Sequence, residues 1–128
     1  MYKIERQNYG VKLTFAGFID PEEMQAYKDE FKTMLDLLPS KFGLLGDMRN
    51  MKPLPPESQA ILSAHPEWTT GRIVRSATIF DSALVKMQTR RLSKEWKQGE
   101  AKRYIDASEE ANREAKAEQW IVDGTEPH

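Results

Sequence analysis

The chain opens on strict alternation. Tyr2 and Ile4 stand against Lys3 and Glu5, and after Asn8-Tyr9-Gly10 the residues Val11, Leu13 and Phe15 alternate with Lys12 and Thr14. Successive side chains of a strand point to opposite faces, so a period of two with turn chemistry between predicts a β-hairpin. Gly17 ends it, and Asp20-Pro21 is a helix start: a capping side chain, then proline at the first helical position. The period then lengthens. Met24, Tyr27, Phe31, Met34, Leu35 and Leu38 fall three and four apart, the stripe of an amphipathic helix that Pro39 ends. Its methionine and aromatic content reads as core.

The next segment, residues 41–51, is a short apolar run ending in Asp47, Arg49 and Asn50, followed by Lys52-Pro53-Leu54-Pro55-Pro56. It predicts a buried central strand whose carboxyl end opens into a proline-stiffened loop. A helix follows from 57 to about 65 with Ile61 and Leu62 inward, and His65 reads as a packed or capping histidine. Ile73 to Phe80, rich in β-branched and aromatic residues, predicts another buried strand, with Asp81 or Ser82 capping a helix over about 83–98. That helix carries Leu84, Val85, Leu92 and Trp96 inward and Lys86, Arg90, Arg91, Lys94 and Lys97 outward, and Gly99 closes it. A short strand over 102–106 and a last helix from Ser108, with Ala111, Ala115, Ile121 and Val122 beside Trp120, complete the chain. The order β-β-α-β-α-β-α-β-α predicts an α/β fold, a mixed and mostly parallel sheet with helices packed on it. No repeat or linker divides it, so residues 1–123 read as one domain and 124–128 as a loose tail.

Composition narrows the function classes. The 128 residues carry a net charge of −1, which leaves no positive field for nucleic acid. There is no cysteine and there are two histidines, so neither a thiolate nor a His-rich metal site is expected, and no cofactor. The first residues have no apolar signal region and no run approaches the roughly 20 apolar residues that span a bilayer, so a cytoplasmic protein without stable membrane insertion is expected.

Taken together, several segments resemble the SpoIIAA-like branch of the STAS superfamily, relatives of anti-sigma-factor antagonists. They are Gly17-Phe18-Ile19-Asp20-Pro21-Glu22-Glu23-Met24, the strand end Asp47-Met48-Arg49, Glu109-Glu110-Ala111 and Glu118-Gln119-Trp120-Ile121. The resemblance covers nearly the whole chain and rests on element order and short motifs. It implies a small α/β sheet and a regulatory module that binds a protein or a small or lipidic ligand, rather than an enzyme. One departure stands out. The antagonists carry a phosphorylatable serine in an Asp-Ser-Ser-Gly-type turn at the start of the second helix, whereas here 51–57 hold no serine and Ser58 reads as part of an ordinary first turn.

Candidate chemistry gathers where strands end. Parallel strands should bring Asp47, Arg49, Asn50, Asp81 and Ser82 together. Two carboxylates beside an arginine bind a polar ligand, or act as acid and base if burial separates their pKa values. In the plainer reading Asp47 pairs with Arg49 or Arg72. Gly43 to Gly46 is too short and apolar to cradle phosphate, and no Ser/His/Asp spacing emerges, so no catalytic residue is assigned. Charge is segregated: residues 82–104 carry seven basic and two acidic side chains, residues 105–128 seven acidic and two basic. These faces serve solvation, pairing within the chain or pairing across a homodimer. Two readings follow. In the first, a partner protein meets the loop 49–56, including Lys52, and the basic face with Arg90 and Lys94. In the second, a small apolar or lipidic ligand enters a pocket lined by Met48, Met51, Ile61, Trp68 and Met87.

Overall fold

The computed structural model describes residues 1–64, 68–81, 87, 102–106 and 113–126. β1 (Tyr2–Gln7) and β2 (Gly10–Gly17) form the expected antiparallel hairpin around Asn8 and Tyr9. α1 (Pro21–Leu35) begins as the pattern predicts: the Asp20 carboxylate accepts the Glu23 N–H at 2.8 Å, and Pro21 opens the first turn. Ile19 and Met24, on either side of that cap at the spacing of a hydrophobic staple, are both fully buried. The helix ends at Leu35, short of Pro39, and Leu38 still reaches the core from the turn beyond.

β3 (Phe42–Met51), α2 (Pro56–Ser63), β4 (Ile73–Phe80), β5 (Lys102–Asp106) and α3 (Arg113–Asp123) follow. The five strands lie in the order β1-β2-β3-β4-β5, and every pair after the hairpin is parallel. This is the mixed, mostly parallel sheet that the alternation of strands and helices requires. The helix predicted over 83–98, with Ser82, Arg90 and Lys94, lies outside the described residues except for Met87, as do His65 and the start of the last helix at Ser108.

Each face of the sheet carries its own core. α1 and α2 cover one face, where Val11, Leu13, Phe15, Tyr27, Phe31 and Leu62 pack with Phe42, Leu44, Met48 and Met51 of β3. α3 covers the other, against Leu45, Ala77, Ile79 and Ile105. Leu44 and Leu45 are chain neighbours that enter opposite layers, which is why β3 reads as a continuous apolar run instead of alternating.

Arginines finish both long helices. The Arg72 guanidinium donates to the carbonyls of Leu35, Leu38, Pro39 and Ser40 at 2.9–3.3 Å, so it caps α1 and does not pair with Asp47. Arg75 does the same at the end of α3, to Ile121 and Val122. The segment after α3 is tied back as well: Glu126 pairs with Arg103 at 2.8 Å, joining the acidic end of the chain to the basic block before it.

Candidate functional site

The carboxyl end of β3 carries the charge. Thr14 lies beside Asp47 in the parallel register and Lys12 beside Leu45, so Lys12, Asp47 and Arg49 all face α3. There they form one network with Glu114 of that helix. Arg49 grips Asp47 through two bonds, Nε to Oδ1 at 3.0 Å and Nη2 to Oδ2 at 2.7 Å, and its own backbone N–H adds a third at 3.2 Å. The same Nη2 donates to Glu114 at 3.2 Å, and Lys12 Nζ meets the other oxygen of Glu114 at 2.5 Å. Four charges cancel in pairs against the sheet.

Electrostatics follow from that geometry. Burial pushes the Asp47 carboxyl up, but the Arg49 bonds and the charges of Arg49 and Lys12 outweigh it and hold the group below the usual carboxylate range. The bond to Asp47 raises Arg49 in turn, and the bond to Glu114 raises Lys12. Acid–base work would require a carboxylate pushed the other way. Asp47 is a clamped anion, and Asp81 is exposed at the end of β4 beyond Ile79, the register partner of Asp47.

Above this network the chain builds a platform from two loops. The Lys52 N–H donates to the Gly17 carbonyl at 3.0 Å, and the Ser58 hydroxyl donates to the Ile19 carbonyl at 2.9 Å. Leu54 is buried beneath, and Gln59 Nε2 holds its carbonyl at 2.9 Å. Ser58 is wholly buried, so its hydroxyl is an internal tie and not a surface group. On the solvent side stand Asn50, Lys52, Pro53 and Phe18, the last 58% exposed. An exposed phenylalanine on a doubly tied loop is a feature that the hydrophobic pattern did not single out. The signal was the cap: Ile19 takes the staple position before Asp20, which leaves Phe18 directed outward. Lys12 and Glu114 had no such signal, being 102 positions apart.

The residues proposed for an apolar pocket are dispersed. Met48 and Met51 are buried in the α1–α2 layer, with Ile61 and Trp68 partly buried against it, while Met87 is 68% exposed. Lys28 and Lys32 lie 5.4 and 5.9 Å from the Trp68 ring centre, a cationic surround on its outer side. Met48 does line a cavity, with Tyr27, Leu62, Ser76, Thr78 and Lys102, but its volume is about 20 Å³. That is room for about one water molecule. Lys102 is the unusual group in it, for burial lowers its pKa to about 7.

No sequence family and no curated protein matches the chain. A solved structure does: the crystal structure of an uncharacterised protein of the DUF3478 family with a SpoIIAA-like fold, from Shewanella loihica PV-4. It superposes with a TM-score of 0.69 over 95% of this chain and 93% of that one, at 14% sequence identity. The fold is SpoIIAA-like, as the segment resemblance implied.

Proposed function

We propose that this chain is a non-enzymatic regulatory module of the cytoplasm that docks a partner protein on the two-loop platform at the carboxyl end of β3. The observation that carries this reading is Phe18, a large aromatic side chain held out to solvent on backbone that Lys52 and Ser58 tie in place. Burying such a side chain at an interface contributes a few kcal/mol, and a preformed loop loses little entropy when it binds. Lys52 beside it favours an acidic partner surface. The SpoIIAA-like fold agrees with a regulatory binding role. No helix among the described residues is long and apolar enough to cross a membrane. The reading as a carrier of a small apolar or lipidic ligand draws no support from a cavity of about 20 Å³, far below the ~300 Å³ of small-molecule sites.

The test is affinity capture from the native host with tagged wild type, Phe18→Asp, Lys52→Glu and, as a control, Leu37→Asp. Leu37 is equally exposed but lies past the end of α1, at the opposite end of the sheet. A protein held by wild type and Leu37→Asp, reduced at least tenfold by Phe18→Asp and less by Lys52→Glu, is the expected result. Equal capture by all four baits would sink the proposal. Arg49→Glu is a poor probe, because it would set three carboxylates together and unfold the region it was meant to report on.

A further inference from the structure

The opposite end of the sheet, where the parallel strands begin, carries a second set of features. A cleft of about 240 Å³ opens there between the β1–β2 turn and the turn after α1, lined by Arg6, Gln7, Asn8, Pro39 and Lys41 among others. A shallower one of about 280 Å³ adjoins it, sharing Asn8, Tyr9 and Lys41 and reaching Arg75. Among the described residues no aspartate or glutamate lines either.

Arg6 is the centre of the first cleft. Its side chain is exposed, and among the described residues it makes no hydrogen bond or ion pair. Its chain neighbour Glu5 cannot neutralise it: Glu5 lies opposite Lys12 in the hairpin, on the α3 side, while Arg6 lies opposite Val11 on the α1 side. Lys41 is exposed across the cleft and donates to the Gly71 carbonyl, which leaves two of its three N–H groups for a ligand.

Hydrogen bonds hold both walls, and the carbonyls that end α1 on one of them are already occupied. The carbonyl end of α1 points into this region and would repel an anion. Arg72, however, satisfies the Leu35, Leu38 and Pro39 carbonyls. On the other wall, Gly43 N–H donates to the Tyr9 carbonyl at 2.7 Å and fixes the turn against β3. That approach is so close that a Cβ on Gly10, which sits at φ +147°, would lie 2.1 Å from the Gly43 carbonyl oxygen. A guanidinium with free donors beside a second cation, in a cleft with no carboxylate among its described lining residues, is the chemistry that recognises a planar or tetrahedral oxyanion by paired hydrogen bonds.

We propose that the cleft between the β1–β2 turn and residues 38–41 is a binding site for a small oxyanion, a carboxylate or phosphate group, held by Arg6 and Lys41. The volume suits the anionic group and a few further atoms, and excludes a large ligand. The site lies away from the platform that carries Phe18, so the two proposals stand or fall separately.

Titration of ¹⁵N-labelled protein at fixed ionic strength tests it, with three probes: inorganic phosphate, acetate and an end-blocked Gly-Glu-Gly peptide. The expected result is a saturable shift confined to the amides of residues 6–10 and 38–43 and to Arg6 Nε. Arg6→Gln should weaken it at least tenfold and Lys41→Gln several-fold, with Lys52→Gln unchanged. Phosphate as the tightest probe would assign the site to a free phosphorylated small molecule, whereas the peptide would assign it to an acidic side chain of a polypeptide. Shifts that rise linearly, spread over all basic surfaces or persist in both Arg6→Gln and Lys41→Gln would overturn the proposal.

Discussion

The two faces of the sheet each take a charged side chain out of water, and they do so with opposite outcomes. On the α1–α2 side, Lys102 sits in an apolar layer beside Ser76 and Thr78, and burial decides its titration, lowering the pKa to about 7. On the α3 side, Asp47 is also buried, yet Arg49 and Lys12 more than offset the desolvation and its charged form is favoured. Burial alone does not set the sign. At Asp47 the sign is set by a bidentate guanidinium two residues along the chain from the carboxylate it holds.

The largest effect expected from this contrast is at Lys102. The unfolded chain keeps the lysine proton up to 10.5, whereas the folded chain releases it near 7. Between those values the unfolded state binds more protons, so stability should rise with pH and level off on either side. The shift is worth up to about 5 kcal/mol at ~1.36 kcal/mol per pKa unit. Urea unfolding of wild type and Lys102→Met from pH 6 to 10 reads it directly. Lys102→Met should be the more stable protein at pH 6, and the difference should shrink as the pH rises. Parallel profiles for the two proteins would mean that burial does not govern Lys102.

A smaller effect of the same pH sense, but in the acid range, is expected on the α3 side. Arg49→Ala leaves Asp47 buried without its clamp and should cost about 1–3 kcal/mol, below the ~3–5 kcal/mol of broken fully buried pairs because Arg49 is partly exposed. The folded pKa of Asp47 is depressed, so its contribution is fully present above the unfolded value of 3.8 and is lost as pH falls through the folded value. Acid unfolding between pH 5 and pH 2 should therefore be gentler in Asp47→Asn than in wild type, from a lower plateau. A variant as steep as wild type in that range would show that Asp47 is not the group whose protonation matters.

The same contrast explains what could be foreseen from the residues alone. Periods of two and of three to four, the Asp20-Pro21 cap and the apolar run of β3 place the elements around the sheet correctly, because each depends on neighbours in sequence. The pair Asp47–Arg49 was foreseeable for the same reason. Arg72 as the cap of α1, Lys12 and Glu114 as the other half of the network, and Lys102 beneath Tyr27 were not. Each joins residues distant in the chain, and a lysine in a five-residue strand looks like any surface lysine until the register sets it beside Ser76. Phe18 falls between these cases. The cap rule contains the signal, but only once Ile19 is seen to fill the staple.

Lys12→Met is the smallest expected effect, and it asks whether the α3-side network shares its load. Glu114 receives both Lys12 and Arg49, so removing the lysine leaves the glutamate with one cation and takes from Asp47 only the last of the causes that lower its pKa, while its bonds to Arg49 stay. The methionine keeps an apolar stem in place of the lysine methylenes. The loss should stay below ~1 kcal/mol, as for partly exposed ion pairs, and fade in high salt. In a double-mutant cycle with Arg49→Ala the loss from Lys12→Met should grow, because Glu114 then depends on the lysine alone. Strict additivity would instead describe two independent ion pairs that share a residue, and Asp47 would owe its charged form to Arg49 alone.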